Sequence, residues 1–295
     1  MRSEKRVFAL GFFDGVHLGH QALLRQCRVL AQALSCETAA ITFDAHPQTL
    51  FSDHAPALIS TVHDRRMLLK ASGIDHIRSY PVSEEVMSTP WEAFLEKLVE
   101  QGAAGFVCGD DFHFGHHGAG NAGKLQDFCV QRGLPCVIVP EQSLNGTRIS
   151  STLIRHQIES GEMESATKFL GHPHILSGTV MHGQKLGRRL GIPTANLVIP
   201  AGVVVPRFGV YACRAVIEGR NYPAVANVGT RPTVSGSGVT VEPWILDFEG
   251  DLYGREIQLE FYRFLRPEIK FADLAALQHQ IFEDAAETRR YFEIH

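Results

Sequence analysis

The sequence lacks the features that mark membrane-bound, disulfide-bonded and nucleic-acid-binding proteins. No apolar run reaches 18 residues, so no transmembrane helix is expected. The six cysteines of the 295-residue chain are scattered, which is typical of reduced core thiols rather than a disulfide framework. The formal net charge is −4, so no general basic field favours nucleic acid. We therefore expect a cytoplasmic protein that binds neither membrane nor nucleic acid.

The chain also lacks internal repeats and low-complexity segments, and its length allows two domains with a core each. Through residue 140, strands and helices alternate, which favours an α/β fold with a doubly wound, Rossmann-like parallel sheet. Predicted strands lie at 38–43, 74–82, 104–108 and 135–139, and predicted helices at 62–72, 91–101 and 122–132.

The second half has a different pattern of predicted secondary structure. A helix is predicted over 149–170, and Gly171-His172-Pro173 ends it. Short strands separated by Gly, Pro and Asn turns then predict a small antiparallel β-barrel, closed by a C-terminal helix over about 271–291. The predicted strands cover 177–181, 209–217, 221–228, 241–248 and 256–264. We expect domains at 1–165 and 172–295.

The most informative segment runs from Gly11 to His20 (GFFDGVHLGH), between an apolar strand and a helix. Gly15 and Gly19 let the backbone approach a bound group, and a helix N-terminus offers free N–H groups to an anion. His17 and His20 can donate hydrogen bonds to a polyphosphate there. No Gly-Lys-Ser/Thr follows, so the segment is not a P-loop. It predicts a nucleoside triphosphate site; a surface histidine pair and a metal site are the alternatives.

Three further segments follow predicted strands or begin a helix, and the strand ends should converge on one crevice. They supply an acid and an imidazole, then an acid and an aromatic ring, then three hydroxyls and a cation. In chain order these residues are Asp44 and His46; Asp110 and Phe112; and Ser150, Ser151, Thr152 and Arg155. An ordinary turn at Asp44 and helix N-capping by the hydroxyls are the alternatives.

A second glycine-rich segment runs from residue 182 to 196 and carries cations suited to phosphates. The candidate phosphate-binding residues are Gly183, Lys185, Gly187, Arg188 and Gly191. Thr194 and Asn196 offer two hard oxygens, which suit Mg²⁺ bridging phosphates. A solvated hairpin is the alternative for the loop alone.

Residues 6–158 resemble the FMN adenylyltransferase half of prokaryotic FAD synthetases. The matching motifs are GFFDGVHLGH, TFDAHP, GDDFHFG and SSTLIR. The resemblance implies that the FMN phosphate attacks the α-phosphorus of ATP, giving FAD and pyrophosphate, with Mg²⁺ required. It assigns catalysis to His17, His20 and Arg155. Binding of ATP or FMN falls to Gly11, Phe13, Asp14, Gly19, Asp44, His46, Asp110, Phe112, Ser150, Ser151 and Thr152.

Residues 172–293 resemble riboflavin kinases. The matches include GIPTAN, GVY, NVGTRPT, VE, DLYG and LRPE. The resemblance implies that Glu242 is the general base for the riboflavin 5′-hydroxyl, with ATP as the phosphoryl donor. It further implies nucleotide or flavin contacts for Asn227, Arg231 and Arg289, and Mg²⁺ at Thr194 and Asn196.

This chain departs from the family patterns in several places, and the mildest is Ala45, which replaces the usual proline of TFDPHP. His113 stands where arginine is common, and His116 and His117 follow it; a metal site of the three histidines is an alternative. Pro243-Trp244 follows Glu242, and proline removes a ladder donor, so an edge position or a bulge is expected.

The leading hypothesis is a bifunctional enzyme that converts riboflavin to FMN and FMN to FAD. An enzyme with one impaired half and a flavin- or nucleotide-binding regulator without turnover are the alternatives. Motifs for phosphate binding together with a candidate base disfavour the regulator, since a binder needs no catalytic base.

Overall fold

The computed structural model describes residues 5–52, 54–181, 192–233 and 236–294, the side chains of 231–237 and 294 apart. The chain forms two compact units. The first comprises Met1–Leu58 and Val62–Ser151, and the second Ile59–Thr61 and Thr152–His295. No helix among the described residues is long and apolar enough to cross a membrane. All six cysteines are free thiols.

The first unit contains helices and mostly parallel strands. Its strands are β1 Arg6–Leu10, β2 Glu37–Phe43, β3 His76–Tyr80, β4 Ala103–Gly109, β5 His113–Phe114, β6 Gly120–Asn121, β7 Cys136–Val139, β8 Ser143–Leu144 and β9 Thr147–Arg148. Its helices are α1 Leu18–Ala33, α2 Val62–Ala71, α3 Glu84–Met87, α4 Trp91–Glu100 and α5 Ala122–Arg132. The main sheet is parallel with the order β3-β2-β1-β4-β7, so the predicted doubly wound sheet is confirmed.

Strand β1 carries two hydrophobic cores, one on each face of the sheet. Phe8 and Leu10 belong to the core packed by α4 and α5, whereas Val7 and Ala9 belong to the core packed by α1 and α2. This alternation follows from the two-residue period of a strand, whose successive side chains point to opposite faces. The result is a three-layer sandwich with the carboxyl ends of β1, β2 and β4 side by side.

The second unit begins with a pair of helices and continues as a barrel. Its elements are α6 Ser151–Ser160, α7 Met163–Leu170, β10 His174–Thr179, β11 Leu197–Val198, β12 Gly209–Ile217, β13 Arg220–Thr233, β14 Gly236–Ile245, β15 Glu256–Arg266 and α8 Leu274–Ile294. The sheet is antiparallel with the order β10-β15-β12-β13-β14-β11. Its two edges meet where the Met181 N–H donates to the Asn196 carbonyl at 2.9 Å, so the predicted small barrel is confirmed and nearly closed.

One predicted element was wrong. The single helix over 149–170 is two helices, α6 and α7, separated at Gly161. Gly161 has φ +81°, a left-handed conformation that side chains disfavour, and this ends α6. Gly171, at φ +78°, ends α7 as expected. The short helix α3 was not predicted, because four residues are too few to show a helical period.

Candidate active sites

A polar cavity of about 420 Å³ opens at the carboxyl ends of β1, β2 and β4. All three predicted strand-end segments contribute to its lining, so their predicted convergence is confirmed. The predicted residues that line it are Gly11, His17, Gly19, His20, His46, Asp110, Phe112, Ser150 and Ser151. The volume lies in the ordinary range of small-molecule sites.

The turn between β1 and α1 adopts an unusual backbone. Phe13 has φ 56°, Gly15 71° and Val16 42°, so three of four successive residues are left-handed. For residues other than glycine such conformations cost about 1–3 kcal/mol each and are typical of functional sites. A Cβ on Gly11 would lie 2.9 Å from the Phe13 ring, which explains the glycine there.

Phe13 and Asp14 support this turn from inside the protein. Their exposed fractions are 0% and 1%, and neither side chain lines the cavity. The Asp14 carbonyl accepts a hydrogen bond from the Ser151 hydroxyl at 3.4 Å, which ties the turn to the start of α6. The structure therefore does not place these two predicted binding residues in the cavity lining.

His17 and His20 form a stacked imidazole pair at the N-terminus of α1. Their ring centroids lie 3.6 Å apart. The His17 Nδ1 accepts the His20 backbone N–H at 3.2 Å and so caps the helix, which leaves the proton of neutral His17 on Nε2. Burial, followed by the charges of His17 and Arg65, lowers the pKa of His20 well below its usual value. Both rings can therefore donate to a phosphate without carrying two adjacent charges.

The other strand ends hold their polar side chains by backbone contacts. The Asp44 carboxylate accepts the Val82 N–H at 2.9 Å and lies outside the cavity lining, whereas His46 lines the cavity and accepts the Gln48 N–H. The Asp110 carboxylate accepts the Glu141 N–H at 3.3 Å. Thr152 and Arg155 belong to the second compact unit.

Next to the polar cavity lies a second, apolar cavity of about 540 Å³. Five aromatic residues line it: Phe43, Tyr80, Phe94, Phe112 and Phe114. The two cavities share a wall made of Phe43, Pro47, Phe112 and His113. A flat aromatic ligand and a polar one can therefore lie side by side on either side of this wall.

The three neighbouring histidines do not form a ligand cluster. No group of three or more His, Cys, Asp or Glu in the described parts of the chain could hold a metal ion. The His113 Nδ1 donates to the Asp111 carbonyl at 2.9 Å, and the His116 and His117 rings lie 3.9 Å apart. Their arrangement does not support the three-histidine metal alternative.

The second unit also has two neighbouring cavities. The larger, about 400 Å³, is lined by Thr194, Asn227, Glu242, Trp244, Arg266 and Glu268 among others. The smaller, about 70 Å³, is lined by Thr194, Phe248, Asp251 and Tyr253 among others. Thr194 is thus part of both linings. Glu242 lies opposite Asn227 in the β13–β14 ladder, and the Asn227 amide donates to Glu268 at 3.1 Å.

Pro243 does not disturb the strand that carries Glu242. The β13–β14 register is continuous from Ala224↔Ile245 to Thr233↔Gly236, so this ladder has no bulge. The Pro243 carbonyl accepts the Ala195 N–H at 2.9 Å. Since N–H and C=O of one strand residue point the same way, the proline nitrogen faces the short β11 side. Strand β14 lies between β13 and β11, so neither the expected edge position nor the expected bulge is found, and Glu242 still lines the cavity.

Comparison with known proteins matches both units. A family model described as FAD synthetase matches residues 1–153, and one described as riboflavin kinase matches residues 170–292. A bifunctional riboflavin kinase/FMN adenylyltransferase from Listeria monocytogenes is 34% identical over 97% of this chain and 92% of its own length. The enzyme of the same name from Pseudomonas fluorescens is 36% identical over 98% of this chain and 94% of its own length.

The chain belongs to the bifunctional riboflavin kinase/FMN adenylyltransferase family. It has both activities of that family, riboflavin kinase and FAD synthetase. A crystal structure described as a macrolide-efflux protein from Streptococcus pneumoniae has the same fold over both units, with a TM-score of 0.85, 30% identity and coverage of 98% of this chain and 97% of that one.

Several predicted residues of the riboflavin kinase unit lie elsewhere or outside the described part. Gly183, Lys185, Gly187, Arg188 and Gly191 lie outside the described residues, as does the side chain of Arg231. Asn196 is 9% exposed and lines neither described cavity of this unit.

Arg289 pairs with Asp247 instead of lining the described riboflavin kinase cavities. Its guanidinium donates to the Asp247 carboxylate at 3.0 Å, and this pairing raises the pKa of Arg289 and lowers that of Asp247. The cation in the cavity lining is Arg266, which forms a bidentate pair with the buried Asp284. Sequence reasoning assigned no role to Arg266, although it lies in the quoted LRPE match.

The FAD synthetase unit also contains a site residue that sequence reasoning missed. Arg148 lines the polar cavity and pairs with Asp111 at 3.1 Å and with Glu141. Its position two residues before Ser150 was the available signal.

Proposed function

We propose that ATP binds in the polar cavity of the FAD synthetase unit and FMN in the apolar one. The observation that carries this is their shared wall of Phe43, Pro47, Phe112 and His113. The tricyclic flavin suits the five-ring apolar cavity, and the polyphosphate suits the N-terminus of α1. The FMN phosphate then meets the α-phosphorus of ATP at the wall, and pyrophosphate leaves.

In this proposal the residues of the turn stabilise charge and do not act as nucleophiles. His17 presents an Nε2–H at the start of α1 and the His20 ring stacks beside it, where phosphate charge accumulates in the transition state. Ser150 and Ser151 add hydroxyl donors from the start of α6.

Replacement of Phe94 tests the flavin position. Phe94 lines only the apolar cavity, so Phe94→Leu should raise the KM for FMN about fivefold and leave the KM for ATP unchanged, since an aromatic contact is worth about 1 kcal/mol. Steady-state FAD synthesis at varied FMN and varied ATP measures both. Phe51→Leu is the matched control, because Phe51 is 70% exposed and lines neither cavity. An equal rise in both KM values would contradict the proposal.

For the riboflavin kinase unit, we propose that riboflavin occupies the cavity of about 400 Å³. We propose that ATP binds next to the smaller cavity of about 70 Å³. Glu242 takes the proton of the 5′-hydroxyl as it attacks the γ-phosphorus, and ADP leaves. Thr194 lines both cavities and thus lies where the transferred phosphoryl group passes.

Mg²⁺ fits this unit as a nucleotide-bound ion. Thr194 lines both cavities and offers a hard oxygen there, whereas the predicted second ligand Asn196 lines neither. Mg²⁺ in such sites keeps several waters and takes its other ligands from phosphates. When bound, it neutralises phosphate charge in the transition state. We propose ATP with Mg²⁺ as co-substrate for both reactions, and riboflavin, FMN and FAD as the flavin substrates and products. The free thiols favour a cytoplasmic location.

Incubation of the purified protein with riboflavin, ATP and Mg²⁺, followed by separation of the flavins, tests the whole sequence. We expect FMN to form first and FAD to follow. FMN without FAD, or no conversion of riboflavin while added FMN becomes FAD, would identify one impaired half. No new flavin from either substrate would favour the regulator.

We also propose that the activities lie on separately folding domains. The sequence suggests domains at 1–165 and 172–295, whereas the compact units divide between Ser151 and Thr152. A fragment of the second unit should include the helix pair α6–α7, because this pair has a buried apolar side. The residues that are at most 1% exposed are Ile154, Ile158, Met163, Ala166 and Leu170. A fragment from Thr152 should melt cooperatively and phosphorylate riboflavin. A fragment from Pro173 should melt at a lower temperature, because it lacks this apolar packing. Equal melting temperatures would assign the helix pair to the first domain.

A further inference from the structure

Arg65 is a buried cation that no proposed step uses. It lies on α2 with 1% of its surface exposed, directly behind the turn that precedes α1. Burying a charge is costly unless it is paired. Its Nε and Nη2 atoms are buried without a hydrogen-bond partner. Such an expensive arrangement is typical of functional sites.

The guanidinium joins the ends of the two central strands. Its Nη1 donates to the Phe43 carbonyl at 2.6 Å, to the Thr42 hydroxyl at 3.2 Å and to the Phe12 carbonyl at 3.4 Å. The Thr42 hydroxyl donates to the same Phe12 carbonyl at 2.6 Å. The guanidinium also lies 4.6 Å from the centre of the Phe12 ring.

These contacts fix the backbone next to the turn whose conformation is energetically unfavourable. Phe12 begins the left-handed turn of Phe13 to Val16, and Phe43 belongs to the wall shared by the two cavities. A strained turn persists only when its surroundings fix it. Arg65 therefore links the turn that carries the histidines to the wall where the substrates meet.

We propose that Arg65 is a positioning residue for FAD formation, which holds the turn carrying His17 and His20 against the end of β2 without touching substrate. It rests on the proposed role of these histidines. The general principle is that a displacement of reacting groups by about 1 Å can cost about 100-fold in rate.

Arg65 has a second effect on the site, through its charge. The titratable and charged groups that act on His20 are His17 and Arg65, and the Phe13 ring contacts it edge-on. Asp14 and Asp44 act on the guanidinium. After burial and His17, the charge of Arg65 is a further cause of the lowered pKa of His20. Removal of this charge should raise that pKa, whereas a lysine should preserve it.

Two substitutions separate the contacts from the charge. Arg65→Met removes both, so the kcat of FAD formation should fall about 100-fold and the His20 pKa should rise. Arg65→Lys keeps the charge but loses the planar guanidinium and its hydrogen-bond geometry, so kcat should fall by less, about 10-fold. The His20 pKa should be the same as in the unchanged protein. NMR titration of the His20 ring in the full chain gives the pKa. Arg66→Met is the matched control, because Arg66 is the exposed neighbour on the same helix.

Riboflavin phosphorylation by the same proteins should stay unchanged, since Arg65 belongs to the other unit. Unchanged kcat and titration in Arg65→Met would overturn the proposal. Equal losses of kcat in the methionine and lysine variants, with the His20 titration unchanged in both, would reduce Arg65 to a structural residue and also overturn it. If His20→Ala leaves FAD formation intact while Arg65→Met still shifts the titration, the role of His20 fails and the Arg65 contact stands.

Discussion

Replacement of His20 by alanine is expected to slow FAD formation by roughly 100- to 1,000-fold, the usual cost of one lost transition-state donor. The ring lines the polar cavity at the start of α1 and stacks on His17 at 3.6 Å. Its low pKa keeps it a neutral donor near pH 7. Conversion of added FMN to FAD at saturating ATP measures the effect.

Riboflavin phosphorylation by the His20→Ala protein serves as the internal control, because His20 belongs to the first unit alone. That activity should remain as in the unchanged protein. His156→Ala is a matched variant, since His156 is an exposed histidine and lines none of the described cavities. Equal loss of both activities in His20→Ala would indicate a folding defect, and an undiminished rate of FAD formation would remove His20 from the mechanism.

The substitution Glu242→Gln should abolish FMN formation from riboflavin and leave added FMN convertible to FAD. Glutamine keeps the shape of the side chain but cannot accept the proton of the 5′-hydroxyl, and loss of a general base costs about 100- to 10,000-fold. Riboflavin should still bind in the presence of Mg²⁺ and nucleotide. Separation of flavins after a timed reaction gives the rate, and quenching of flavin fluorescence gives the binding.

Glu268→Gln is the matched variant for this experiment, because Glu268 is a second carboxylate in the same cavity. It accepts the Asn227 amide, so its loss should weaken positioning and cost less than the loss of Glu242. If Glu242→Gln phosphorylates riboflavin at the normal rate and Glu268→Gln does not, the base is Glu268.

The elements with clear local signals could be predicted from sequence. Helix α5 was predicted with its observed bounds: Asn121 caps it by accepting the Lys124 N–H, and Gly133 ends it with φ +65°. The break between α6 and α7 was missed, because a glycine such as Gly161 is also tolerated within a helix and only tertiary contacts decide. The same sequence pattern therefore suits one helix or two.

The candidate site was predictable where its residues are neighbours in the chain. The histidine turn and the strand-end acids form contiguous motifs, so their convergence followed from sheet topology. The apolar cavity was not predictable in this way, because Phe43, Tyr80, Phe94 and Phe114 are separated in sequence and resemble ordinary core residues. Arg65 was not predicted either, because an arginine on a polar helix face resembles an ordinary exposed residue.

The two faces of β1 carry separate hydrophobic cores, and each core ends near one of the two proposed ligand positions. Phe114 belongs to the core beneath α4 and α5, and Tyr80, Phe94 and Phe112 pack against it, so the apolar cavity is the open end of that core. Phe13 and Val16 belong to the core beneath α1 and α2. This core ends at the left-handed turn between β1 and α1. In the proposed arrangement, a bound flavin would extend the packing of the first layer and a bound nucleotide would contact the end of the second. A core substitution on one face should therefore change the affinity for one ligand more than the affinity for the other.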